Sequence, residues 1–151
     1  MNRLRSSIGL VVLVMTVTAT PVLAQDPSGA GRIKVVSGTA YVVRQGGTIP
    51  AQPGQVVFET DSLKTGDDGK IGVTLKDDTR VSLGPSSELK LQRFVYEPGR
   101  GSFGLILQFV RGVAAYVSGR MAKLSPESIR LETPAAIVGV RGTTLAIKVD
   151  P

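Results

Sequence analysis

The feature that most constrains this chain is the two-residue period of its apolar side chains, which recurs along most of its length with no helical spacing of comparable reach. Ile71, Val73 and Leu75 alternate with Lys70, Gly72, Thr74 and Lys76; after Asp77 and Asp78, Val81 and Leu83 alternate with Arg80 and Ser82. Successive side chains of a strand point to opposite faces, so the pattern predicts a hairpin with one buried face. Leu89 and Leu91 carry it on, followed by Phe103, Leu105, Leu107 and Phe109, then Val113, Ala115 and Val117. Ile129 and Leu131, and finally Leu145, Ile147 and Val149, complete it. With Ile33 to Val36, Tyr41 to Val43 and Val56 to Phe58 at the front, about ten short strands are expected. The fold class is all-β: a compact β-sandwich or a short irregular β-solenoid, both of which suit these strands. Ile106 gives the Phe103 to Val110 strand a second apolar face, which predicts a central position.

The N-terminus reads differently. Arg3 and Arg5 precede an apolar run from Ile8 to Val17, and Val22-Leu23-Ala24 offers a small residue at its end. This is the pattern of a Sec-type signal peptide over residues 1–24, cleaved after Ala24. The run is well short of the roughly 20 apolar residues a membrane span requires. No integral span is expected after cleavage, and no cysteine follows the signal to accept a lipid. Residues 25–31 are a short polar tether, and 32–151 form one β domain. The expected compartment is the periplasm or the exterior.

Composition narrows the chemistry. The 151-residue chain has no His, no Cys and no Trp, which removes imidazole bases, thiol nucleophiles, His/Cys zinc sites and disulfides together. No catalytic, cofactor-binding or metal-ligating residue is predicted, and no cofactor. The pairs Asp67-Asp68 and Asp77-Asp78 read as turn residues, since Asp tolerates turn conformations and bonds its own backbone. A hydrolase built only on these four carboxylates is the enzyme alternative. Without the signal, 16 basic side chains face 12 acidic ones. The basic residues never adjoin, and several, such as Lys34, Lys70, Arg80, Lys90 and Arg130, alternate with buried positions. That is a solvated sheet face, and nucleic-acid binding is not expected.

The segment from Thr133 to Thr144 is the most informative. Val138 and Val140 share one parity, whereas Leu145, Ile147 and Val149 have the other, so the strand must change face between them. Gly142 is the expected bulge residue, because glycine accepts positive φ without steric cost. Arg141 then points away from Val140, where a carboxylate or backbone carbonyls are expected to hold it. A ligand or partner contact is its other reading.

These residues, taken in order, resemble the FecR-type periplasmic domain, named for the ferric-citrate regulator. The resemblance runs from about Gly38 to Val149. It rests on Gly38 to Arg44, the apolar run and threonine-glycine turn of Gln55 to Gly66, and the strand-turn-strand of Lys70 to Leu83. Pro85 to Leu89 and Val110 to Val113 follow in order. The closing Thr133, Pro134, Val140, Arg141, Gly142 and Thr143 are its most specific part. Asp78 stands where the family usually has glycine, and Asp is able to adopt the left-handed turn. The resemblance implies a non-enzymatic β domain that works by protein contact. Full-length regulators of the family add an anti-sigma segment, a transmembrane helix and a receptor-contacting domain; this chain is expected to be a stand-alone form without them.

The expected function is that of an exported protein-binding module of the cell envelope, in envelope signalling or assembly, with an envelope protein as partner. Contact is expected at an exposed strand edge or at the loop from Tyr96 to Ser102, with Tyr96 and Arg100 as candidate residues. The alternative is a binding domain for cell-wall glycan or another envelope polymer, using Tyr96, Arg100 and Tyr116.

Overall fold

In a computed structural model the described residues are 29–140, 142 and 144–150. They form twelve strands: β1 (Gly31–Ser37), β2 (Ala40–Arg44), β3 (Gly47–Pro50), β4 (Val56–Val57), β5 (Ser62–Thr65), β6 (Lys70–Leu75), β7 (Arg80–Leu83), β8 (Glu88–Glu97), β9 (Ser102–Val117), β10 (Ile129–Glu132), β11 (Ile137–Gly139) and β12 (Thr144–Val149). One short helix, α1 (Met121–Leu124), lies between β9 and β10. The all-β expectation holds, and the strands belong to one curled sheet that is antiparallel except where β10 pairs with β9. The expected signal peptide and residues 25–28 of the expected tether lie outside the described residues. β1 opens at Gly31, and Ala30 before it is buried.

The sixteen-residue β9 organises the sheet. Along one flank it pairs antiparallel with β8 through its first half and with β7 through its second. β6, β1 and β4 continue outward from β7, and β5, β2 and β3 from β8. Along the other flank lie β10, parallel to Leu105–Gln108, and β12, antiparallel to Gly112–Val117. β9 is thus as central as the two-faced Phe103 to Val110 pattern implies.

The two halves of β9 belong to two layers, and the chain turns between them at Gly112. There φ is +89°, a conformation costly to any residue with a Cβ. An added Cβ would also collide with Ser87 and lie 2.7 Å from the Ser86 carbonyl. Buried Ser87 pins the kink: its Oγ accepts from the Val113 N–H at 2.9 Å, with the Pro85 and Val113 carbonyls at 3.0 and 3.1 Å. The register against β8 slips here, Glu88 facing Arg111 while Leu89 faces Phe109.

The slip reverses the inward parity, which corrects one sequence reading. Phe103 to Phe109 point inward at odd positions as expected, but beyond the kink Ala114 and Tyr116 are buried and Val113 is 45% exposed. The inner faces of both layers meet in a single hydrophobic cluster that includes Ile33, Val73 and Val81 from one and Val42, Leu89 and Leu107 from the other. Each such aliphatic side chain contributes about 1.5–3 kcal/mol on full burial.

Candidate functional site

The C-terminal segment is built from a turn upward. Thr133 and Ala136 exchange backbone hydrogen bonds, and the Ala136 N–H also reaches Thr133 Oγ1 at 3.1 Å. Pro134, with its φ preset by the ring, suits the second position of such a turn. The turn folds β11 back on β10, with Leu131 opposite Val138. Val140 is buried, but Ile137 and Val138 are 68% and 40% exposed, so Val138 does not share a buried face with Val140.

Gly142 has the positive φ expected of it, +150°, but lies between strands rather than within one. The change of parity from Val140 to Leu145 arises because the chain leaves the β10 layer and pairs next with the far half of β9. Ser118 Oγ donates to the Gly142 carbonyl at 2.7 Å. Arg141 and Thr143 lie outside the described residues, and with them the expected anchoring of Arg141.

β12 carries the longest open edge in this region. It pairs with β9 on one side and with no described residue on the other. Leu145, Ile147 and Val149 point inward against the core yet remain only half buried. Since β10 and β12 lie end to end along β9, with β11 beyond β10, the place beside β12 is where a further strand would continue the line of β11.

The expected contact loop has a different form. β8 runs through Tyr96 to Glu97, a single 3-10 turn spans Pro98–Arg100, Gly101 closes it at φ +62°, and β9 starts at Ser102. Tyr96 is committed to packing, its ring 6.1 Å from that of Phe103. Arg100 is exposed and pairs with Glu97 at 3.6 Å. The structure does not bring Tyr96 and Tyr116 together for a polymer, because Tyr116 is wholly buried.

The aspartates divide. Asp68, in the β5–β6 turn, accepts the Thr39 N–H at 3.1 Å, which holds its carboxyl below the ordinary range. Asp78 sits in the β6–β7 turn at φ +68°, the left-handed conformation expected where the resemblance has glycine. Asp77 beside it is fully buried, a feature missed in the sequence. Its carboxylate takes the Thr79 hydroxyl at 2.7 Å, the Thr79 N–H at 3.1 Å and the Met121 N–H at 3.4 Å, tying α1 to the hairpin. Gly119 is required at this crossing, since a Cβ would strike the Asp77 carbonyl. Tyr116 lies nearby, its hydroxyl without a hydrogen-bond partner among the described residues, and burial, aided by the Asp77 charge, pushes its pKa up to about 12.

Among the described residues no group of three or more acidic side chains is placed to hold a metal ion, and no helix is long and apolar enough to cross a membrane. The hairpin of Lys70 to Leu83 and the Thr133 to Gly142 turn and strand follow one another as the sequence resemblance arranges them. The family model described as FecR protein matches residues 61–151, more than half of the chain. The chain belongs to the FecR family. FecR proteins form a regulatory family associated with the cell envelope. The FecR match begins at Asp61, so Gly38 to Arg44 and the start of the Gln55 to Gly66 run precede it. No curated protein and no solved structure shows a significant match.

Proposed function

We propose that this FecR protein is an exported, non-enzymatic protein-binding module of the cell envelope, acting in the periplasm or outside the cell by accepting a strand from another envelope protein. The observation that carries this reading is the edge of β12, six residues long and unpaired on one side among the described residues, whose inward Leu145, Ile147 and Val149 are only partly buried. A strand laid there would satisfy outward backbone groups and cover those side chains, which is how strand addition gains both affinity and register. In this reading residues 1–24 are the signal peptide, 25–31 the tether and 32–151 the working domain, and the envelope partner acts through backbone pairing rather than chemistry on a substrate.

A photo-cross-linking amino acid at Ala146, exposed on β12, tests the assignment in intact cells against the same group at Arg93, exposed on β8. A defined protein adduct from position 146 and none from position 93 is expected. Equal labelling from both, or none from either, would remove β12 as the contact. N-terminal sequencing of the mature protein should start at Gln25; a chain that keeps residue 1 would end the export reading.

A further inference from the structure

On a different surface, the outer face of β1, β6 and β7 concentrates positive charge around two adjoining hollows. The first, about 560 Å³, is lined by Arg32, Lys34 and Lys76 with Val56 and Phe58; the second, about 430 Å³, by Arg80, Arg120 and Lys123. Thr74 and Asp78 line both, so the two are one cleft holding six cations and a single carboxylate. Strand register explains the arrangement. Arg32 pairs with Thr74 and Thr74 with Arg80, which puts all three on one face in one row. Adjacent strands are about 4.8 Å apart, so Arg32 and Arg80 stand about 10 Å apart across Thr74.

Two features prepare this cleft. β1 bulges between Ile33 and Val35, which turns Lys34 and Val35 outward together and brings Lys34 into the first hollow. Arg32 and Arg120 are held in place, the first by the Gly54 carbonyl at 2.9 Å and the second by Asp78 at 2.8 Å. Lys34, Lys76, Arg80 and Lys123 have no ion pair with any described residue.

We infer that this cleft binds an anionic glycan, a sugar chain that carries carboxylates or phosphates. A single small anion would answer one hollow and leave the charge of the other unmet, whereas a chain with repeated anionic groups spans both. β6 and β7 are paired on both sides, and β1 is closed beside the cleft at Gly31, Arg32 and Ile33, so the backbone there offers an acidic peptide little strand edge. Recognition falls to long cations, the Thr74 hydroxyl, and the half-buried faces of Val56 and Phe58, a mixture that suits hydroxyl-bearing rings with attached charge.

The test uses the mature full chain and fluorescence anisotropy with labelled oligogalacturonate, a phosphorylated dextran, neutral dextran, and polyglutamate matched in charge. The two anionic glycans should bind and weaken with salt, and neutral dextran should not bind. The triple variant Lys34→Gln, Lys76→Gln, Arg80→Gln should raise their Kd by about tenfold or more, roughly 1.4 kcal/mol. Lys64→Gln, Lys90→Gln, Lys148→Gln, with equal charge loss away from this face, should change it less than about twofold. The better of carboxylate and phosphate names the charged group. Equal loss in both triples, or absence of binding to either anionic glycan, would overturn the proposal. So would polyglutamate binding as tightly with the same sensitivity, which would make the cleft a site for acidic protein.

Discussion

The guanidinium of Arg44 forks onto the carboxylate of Asp61, Nε to Oδ1 at 2.9 Å and Nη2 to Oδ2 at 2.7 Å, with Asp61 wholly buried. Arg44 lies over the Phe58 ring at 4.5 Å and gives a further bond to the Val56 carbonyl at 3.1 Å, so one side chain joins the end of β2 to the β4–β5 connection. Arg44→Ala strands a buried carboxylate and should cost about 3 kcal/mol in urea melts. Arg44→Lys should recover only part of that, because an ammonium cannot form the fork.

Gly112 should be the least replaceable glycine of β9. Gly112→Ala combines positive φ with a collision at Ser87, and a loss of about 2–3 kcal/mol is expected in thermal or denaturant unfolding. Gly99→Ala, in open space on the β8–β9 turn, should stay within about 0.5 kcal/mol.

Tyr116 should make the protein alkali-sensitive. Its folded pKa is raised to about 12, while an unfolded tyrosine titrates near 10. Up to about pH 10 both states hold the proton and the stabilisation is complete; between about pH 10 and 12 the unfolded chain ionises first, so stability falls as pH rises. Tyr116→Phe removes an unbonded buried hydroxyl and should leave neutral-pH stability equal or raise it by about 1 kcal/mol. Denaturant melts at neutral pH and near pH 11 should show the variant with the flatter decline.

Asp77→Ala should loosen α1 before it unfolds the core. The Thr79 and Met121 N–H groups lose their acceptor, at about 1–3 kcal/mol. Faster amide exchange at Met121, with Val42 in the other layer little changed, is the expected pattern.

Strands with a one-sided apolar rhythm were legible in the sequence; those without one were not. β3, Gly47–Pro50, is exposed at all four positions and has no buried face to announce it. β5 carries a single leucine, Leu63, among Ser62, Lys64 and Thr65. The phase of the second half of β9 was misread because Val113, Ala114, Ala115, Tyr116 and Val117 are apolar at both parities, so period alone could not say which side faces inward. The turn at Asp77 and Asp78 was readable from local chemistry, and its left-handed residue from the family resemblance. Buried Asp61 and Asp77 were not: Arg44, which neutralises Asp61, lies 17 residues away, and Asp77, although bonded by Thr79 two residues on, is covered by α1, whose Met121 N–H lies 44 residues away. The cleft was hidden for the same reason: its cations are never adjacent in sequence and meet only through the pairing of β1, β6 and β7.

Because β9 runs through both layers, neither layer owns a complete set of hydrogen-bonded neighbours without it. A partly opened molecule that kept one layer would have to break a continuous backbone ladder at Gly112 and Ser87, where the two are closely packed. The two halves should therefore melt as one unit, and a pull applied at β12 should be carried straight along the spine into β7 and β8 rather than peeling away a detachable lobe.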